Sequence, residues 1–588
     1  MNPSSANAWQ AVKRVRIWYA LLIIVLCVFV VRLFYLQVIR YDHYKNAALS
    51  DQLKQYQIPA TRGVIQAHLG DQVVPLVLNQ KLYTLYADPT FVKDVNKVAD
   101  SVTKIVGGDS QDYRKLLSTK DTRYAVLAKQ LTADQNNKIK ALKYPGLGTI
   151  EQDYRTYPQG ALAAQVLGFV NNDGKGTYGI EQALNTQLKG VPGQLKAITD
   201  INGVPLAASG ENTMTQPTSG DNLTLTLDIA MQKQVEAILA QGVKDAKGVS
   251  GSAVVMDVNT GAIQAMANNP SYDPSKYGSV SDSSVFNNAS VSEPIEIGSI
   301  MKSLTTAAAL DQGVIKQNTT YYDPSHWNVD SFNITNIEED GGAGTRSIAD
   351  ILNLSLNTGA TWELMQMGGG QINQKARNSW HDYMVNHYMF GRPTGVEQGY
   401  ESNGYIPGPN DNGAGINLTY ANTAFGQAMT ATPLQVAAAL AAVVNGGTYY
   451  QPHLIDQTVD AKGNATTTVP KVVKKGIVSP AVTQAMVPLM QYVVQHHAIS
   501  PSFDQTKYVV GGKTGTAQIA KPNGGYYDDE FNGSYLGFVG GSKPQYVIAV
   551  FVNKPKVAGY AGTAAAQPIF GKITHMLINN SYVAPRQD

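Results

Sequence analysis

Residues 298–315 read GSIMKSLTTAAALDQGVI, a helix-forming run that opens with a serine and a lysine three positions apart. In a helix the i,i+3 spacing stacks Ser299 and Lys302 on one face, so the lysine amine can reach the serine hydroxyl. Ser299 then lies at the helix N-terminus, where backbone N–H groups and the dipole favour developing negative charge. A serine at its free pKa is a poor nucleophile and needs a base, and a lysine can be that base only when neutral.

Two further short elements belong with this one. Ser355-Leu356-Asn357 falls in SIADILNLSLNTGA, where Ile348, Ile351, Leu352 and Ser355 recur at helical spacing. Ser355 is therefore expected on a buried helix face, with Asn357 near the helix end ahead of Gly359. Lys513-Thr514-Gly515-Thr516 lies in VVGGKTGTAQIA, where period-2 alternation sends Thr514 and Thr516 to one face of a strand. Gly515 between them lets a backbone or ligand approach closely. Each element alone has a plain structural account: a core serine bonded to its i−4 carbonyl, or a strand end with a loop lysine. S-x-x-K recurs at Ser101–Lys104, and S-x-N recurs at Ser5 and Ser331. Ser101 and Lys104 lie in a charged, polar helix without partner motifs, which reads as a solvated face.

A chain of 588 residues exceeds the size at which one hydrophobic core keeps growing, so two or three domains are expected. With 43% apolar and 15% charged residues it reads as globular. The 46 basic and 44 acidic side chains leave a net charge of +2, no electrostatic footprint for nucleic acid. The single cysteine, Cys27, excludes an intramolecular disulfide and a Cys-based metal site.

Cys27 lies in the most apolar stretch, IWYALLIIVLCVFVV from Ile17 to Val31, which resumes after Arg32 as LFYLQVI up to Ile39. A bilayer core needs about 20 helical residues, and an arginine near the far end can snorkel to the headgroups. No small-residue cleavage site follows, so residues 17–39 are expected to be an uncleaved membrane anchor. Lys13, Arg14 and Arg16 precede it, which keeps residues 1–16 cytoplasmic and puts the rest outside.

Residues 40–215 mix strand-like runs such as Leu82–Ala87 with polar helical ones such as Asp94–Val106. Ala208–Asp221 is rich in Ser, Thr, Gly and Pro, as a linker is. Residues 220–588 change character. Asn222–Leu227 alternates as a strand, Asp228 is a candidate N-cap for the next helix, and Ser252–Asp257 with Ala262–Ala267 flank Asn259-Thr260-Gly261 as a hairpin. Further strands are expected at Tyr508–Ala517, Ser534–Val539 and Tyr546–Val552, and a last helix at Thr563–Leu577. Strands at both ends with helical sequence between predict one α+β domain whose sheet joins distant segments.

S-x-x-K, S-x-N and K-T-G together resemble the signature of penicillin-binding proteins and class A β-lactamases. The middle element, S-L-N, is similar to the transpeptidase form. Other runs resemble class B penicillin-binding proteins: LTLDIAMQ at 225–232, VVMDVNTGAIQAMAN at 254–268, AFGQAMTATPLQVAAALAAVVNGG at 424–447 and SYLGFVG at 534–540. TRGVI at 61–65, YRTYPQGALAAQVLGFV at 154–170 and GIEQALNTQLKG at 179–190 resemble that family's membrane-proximal pedestal. Two departures stand out. Gln66-Ala67 replaces the usual acidic residue after R-G-x-I, and Ile297-Gly298 replaces Pro-Gly before the nucleophile.

The resemblance implies a penicillin-binding, β-lactamase-like serine transpeptidase domain, a central antiparallel sheet with helices, at 220–588. An elongated pedestal of the dimerisation type at 40–215 and one transmembrane helix would precede it. It implies a D,D-transpeptidase that cross-links peptidoglycan, with Ser299 as nucleophile and Lys302 as base, because burial and the second cation at Lys513 oppose the charged form of Lys302. By the same resemblance Ser355 relays a proton, Asn357 orients the substrate amide, and Lys513 with Thr514, Gly515 and Thr516 binds the terminal carboxylate. The N–H groups of Ser299 and Thr516 would form the oxyanion hole. Stem peptides ending in D-Ala-D-Ala, β-lactams and a membrane glycan polymerase of the division or elongation machinery are the implied partners. No metal or organic cofactor is implied. Met301 before the lysine leans toward the division branch. A catalytically silent β-lactam sensor or scaffold and a serine β-lactamase are the alternatives. Against the latter, Glu363, Glu397 and Glu401 lack the E-x-x-x-N context of a hydrolytic base.

Overall fold

The computed structural model describes residues 4–45, 53–119, 121–198, 213–336, 342–410, 415–497, 499, 502–521 and 523–586. The chain forms two compact units, Met1–Thr61 with Gly190–Ser219, and Arg62–Lys189 with Gly220–Asp588.

The first unit holds a helix, Ser4–Phe34, that continues as a π-turn through Ile39. Among the described residues this is the one helix, over Val12–Ile39, long and apolar enough to cross a membrane. Its apolar side chains are exposed, as a lipid-facing surface requires. The unit also holds an antiparallel sheet in the order Leu53–Ile58, Gly193–Ile198, Thr213–Thr215. Of the stretch expected to be a linker, residues 208–212 lie outside the described residues, and Thr213–Thr215 is a strand.

The second unit is built on a five-stranded antiparallel sheet in the order Ile263–Asn269, Ser250–Asp257, Pro544–Asn553, Tyr526–Gly540, Val509–Ala520. Alternation along its strands feeds two cores. Ala253, Val255, Ile548 and Val550 pack on the face covered by the Ile229–Asp245 and Gln567–Asn579 helices. Val254, Met256, Val547 and Ala549 join the other, larger core. Burial on both faces explains why these strands read as continuous apolar runs. The Pro433–Val444 helix lies in the larger core with every residue buried, and its alanines allow close approach to the sheet. Thr432 caps it through a capping box with Gln435. The expected hairpin is present, and Asp228 caps the Ile229–Asp245 helix by accepting from Met231 N at 2.7 Å.

A seven-stranded sheet joins the upstream and downstream parts of this unit. Its path runs Ala465–Thr467, Ile455–Val459, Asn222–Asp228, Ile65–Leu69, Gln72–Ala87, Ala125–Leu131, and Leu147–Thr156 also pairs with Gln72–Ala87. Asn222–Asp228 pairs with Ile65–Leu69 in parallel, across more than 150 residues of chain. Beside this sheet the three upstream runs singled out from sequence converge. Arg62 Nε donates to Glu181 Oε2 at 2.7 Å and Arg155 Nε to Glu181 Oε1 at 2.9 Å. Glu181 is fully buried, and Asn79 Oδ1 and Asn185 Oδ1 take one further donor from each arginine.

The sequence pattern misplaces one break. Helical periodicity runs through Ser355, yet the helix spans Ile348–Asn353 only, and a new helix starts at Asn357 and ends at Met367. Ser355 lies between them with φ of 57°, a left-handed conformation that is costly outside glycine. Asn357 thus begins a helix rather than ending one.

Candidate active site

Ser299 sits in a single 3₁₀ turn, Gly298–Ile300, that leads into the Met301–Asp311 helix. Gly298 has φ of 63° and donates its N–H to Gly426 O at 3.0 Å. A Cβ there would lie 2.9 Å from Thr516 O, so glycine is what lets the nucleophile turn press against the K-T-G strand. On the other side Ser534 Oγ donates to Ile297 O at 2.9 Å, fixing that turn to the neighbouring strand.

Lys302 Nζ lies 2.9 Å from Ser299 Oγ and 3.2 Å from Ser355 Oγ, and donates to Ser355 O. Lys513 Nζ lies 3.0 Å from the same Ser355 Oγ and donates to Thr514 O at 3.1 Å. Three motifs separated by up to 214 positions therefore meet in one line of polar atoms: Ser299, Lys302, Ser355, Lys513. The left-handed backbone of Ser355 turns its carbonyl out of the helical ladder and onto Lys302. Both lysines are buried, Lys302 at 0% and Lys513 at 2% exposure. Burial disfavours the ammonium form, and two cations on one neutral hydroxyl disfavour it further.

Asn357 Nδ2 donates to Thr335 O at 3.0 Å, which ties the S-L-N element to the Phe332–Thr335 strand. Thr514 and Thr516 are half-exposed while Lys513, Gly515 and Ala517 are buried, as the alternation predicts. Thr516 Oγ1 accepts from Gly562 N at 3.0 Å. At Gly515 a side chain would run into Ser534 Oγ and come within 2.8 Å of Ile297 O. A small pocket behind the motifs is lined by Asn353, Ser355, His497, Lys513, Thr514 and Gln567.

Three residues near the site carry no sequence motif that marks their role. Glu296, three positions before Ser299, accepts from Ala428 N and Tyr526 Oη at 2.9 Å each, and burial raises its proton affinity against those bonds. Ser534 was visible only as part of SYLGFVG. Glu363 lacks the E-x-x-x-N context of a hydrolytic base. It is fully buried and bonded to Thr306, so it does not face water. Glu397 accepts from Leu454 N, and Glu401 from Thr394 N and Gly395 N, which makes both of them loop anchors.

Residues 251–575 match the family described as the penicillin binding protein transpeptidase domain, more than half of the chain. The chain belongs to that family. Residues 57–225 match the penicillin-binding protein dimerisation domain. Among curated relatives, stage V sporulation protein D of Bacillus subtilis is 28% identical over 98% of this chain and 87% of its own length. Peptidoglycan D,D-transpeptidase FtsI of Escherichia coli is 27% identical over 94% of this chain and 89% of its own. Among solved structures, penicillin binding protein 3 from Mycobacterium tuberculosis in complex with aztreonam superposes with a TM-score of 0.67 at 23% identity. That match covers 90% of this chain and 98% of the other. Penicillin binding protein 2X from Streptococcus thermophilus gives a TM-score of 0.67 at 23% identity over 91% and 83%. These superpositions bear on the fold, which is the transpeptidase fold with an N-terminal dimerisation domain.

Proposed function

We propose that this chain is a serine D,D-transpeptidase that cross-links peptidoglycan, with Ser299 as the residue acylated by substrate and by penicillins. The supporting observation is the line Ser299–Lys302–Ser355–Lys513, which gives a nucleophile, a buried amine within 2.9 Å of it, and an onward path for its proton. The activity agrees with the name of the E. coli relative.

Lys302 takes the Ser299 proton as Oγ attacks the carbonyl carbon of the penultimate D-Ala. The oxyanion forms against the N–H groups of Ser299 and Thr516. As the C–N bond breaks, the proton passes by way of Ser355 to the departing D-Ala amine. The ester on Ser299 is then opened by an amine of a neighbouring stem peptide, which forms the new amide and returns the proton to Ser299. Lys513, Thr514 and Thr516 hold the terminal carboxylate, with Gly515 allowing the strand to lie against the nucleophile turn at Ile297. Asn357, braced by its bond to Thr335, presents its Oδ1 to a substrate amide N–H.

The septal branch is our reading, supported by relatives named FtsI and by Met301. It carries with it a membrane glycan polymerase of the division machinery as partner. A labelled copy should concentrate at mid-cell, and an even side-wall distribution would overturn the branch. Lys13, Arg14 and Arg16 support an N-terminus inside with the catalytic unit outside. Protease added to intact spheroplasts should digest that unit.

The test of the central assignment is fluorescent penicillin followed by peptide mapping. Label should sit on the Ser299 peptide and be lost in Ser299→Ala. Label retained in that variant would end the assignment.

A further inference from the structure

Glu363 has no place in the chemistry above, yet it lies directly beneath it. It is carried on the Asn357–Met367 helix, which packs against the catalytic Met301–Asp311 helix, and it is fully buried. Its two carboxyl oxygens lie 2.9 and 3.1 Å from Thr306 Oγ1. Thr306 is four residues after Lys302 and so one turn along the same helix face. Glu363 and Lys302, both at 0% exposure, thereby engage the same helix, the carboxyl against the turn that follows the lysine. The other titratable groups facing Glu363 are the phenols of Tyr321 and Tyr388, with Asp323 behind Tyr321. None of these supplies positive charge, and Lys302 does.

Burial pushes the Glu363 carboxyl up to about 8, while the Thr306 hydroxyl and the charge on Lys302 pull the other way. A carboxyl balanced there is sensitive to whether its neighbour carries a proton. Each group biases the other: a carboxylate favours the ammonium, and an ammonium favours the carboxylate.

We propose that Glu363 is a positioning residue that sets the proton affinity of Lys302, a counter-charge that is present when its carboxyl is ionised and absent when it is protonated. The inference rests on Lys302 being the base. Holding one proton, the pair is either carboxylic acid with free amine, which can activate Ser299, or carboxylate with ammonium, which cannot. The same carboxyl steadies the ammonium that forms when the serine proton arrives in a site already holding Lys513. The sign follows. Replacing Glu363 by a neutral amide removes the carboxylate, so Lys302 sheds its proton at lower pH and the acid limb of the acylation profile moves down.

The experiment measures the acylation rate constant of the full chain in detergent against pH, with fluorescent penicillin, for wild type, Glu363→Gln, Thr306→Val and Lys302→Met. Glu363→Gln should move the acid limb down by about one pH unit or more. Thr306→Val removes the hydroxyl that favours the carboxylate, so it should move the limb the same way by less. It also keeps the test open if the glutamine variant folds poorly. Rates that drop uniformly with the limb unmoved in both variants would mean Glu363 only fills space, and would overturn the inference. Near-normal acylation in Lys302→Met would instead remove the base assignment on which it rests.

Discussion

Around Glu181 the upstream part of the catalytic unit sets two guanidinium groups on one carboxylate, whereas around Ser355 the catalytic centre sets two lysine amines on one hydroxyl. Glu181, Arg155 and both lysines are buried, while Arg62 and Ser355 are partly exposed. In the first, burial and the neighbouring Arg155 lower the proton affinity of Arg62 while Glu181 opposes them, and arginine stays charged throughout. Glu181 gives both guanidinium groups a bonded counter-charge, so nothing in this cluster is poised to move a proton. In the second, the shared partner is neutral and the cations are lysines, which give up protons when buried. Permanent cations bonded to a carboxylate hold a fold together, and lysines crowded on a neutral group are a source of reactivity.

Removing one member of each cluster tests the contrast. The largest effect is expected from Lys302→Met, which should slow acylation by roughly 10²–10⁴-fold, the range for loss of a general base. Its unfolding temperature should change little, because the variant removes an amine whose charged form burial and Lys513 already disfavour. Equal acylation in the variant, or a large fall in its unfolding temperature, would break the comparison by making Lys302 a structural charge. Glu181→Gln should do the reverse. Two buried guanidinium groups lose their counter-charge, at a cost of about 3–5 kcal/mol read by thermal or urea unfolding. Folded molecules should still acylate at close to the wild-type rate. A variant of normal stability that acylates slowly would show that the upstream cluster reports to the active site.

The reactive set was legible in sequence because its first step is local. Ser299 and Lys302 lie one helical turn apart, and alternation alone put Thr514 and Thr516 on one face. The N-cap at Asp228 and the hairpin at Asn259-Thr260-Gly261 are likewise written in neighbouring residues. The break at Ser355 was not legible. Ile348, Ile351 and Leu352 set a helical rhythm that Ser355 continues, and the departure to φ of 57° is sustained by Lys302 from 53 positions away. Glu181 appeared in sequence only as part of GIEQALNTQLKG, since its two arginines come from runs 119 and 26 residues upstream. Glu363 sat among apolar residues in ATWELM, a hint of burial, but its partner Thr306 lies 57 residues away. Long-range pairing of polar side chains leaves no periodic trace.

Strand order in the five-stranded sheet also sets a clock on the newly made protein. Ser250–Asp257 must wait for Pro544–Asn553 before its open side is paired. At ordinary rates of synthesis that interval is on the order of tens of seconds. For most of it Ser299 has been made, whereas Lys513, Thr516 and the Ser534 hydroxyl that clamps Ile297 follow only near its end. The serine is chemically ordinary until almost the last residues are made. An unfinished chain should therefore neither consume substrate nor be trapped by an antibiotic, and a pulse of penicillin would mark only molecules whose synthesis is complete.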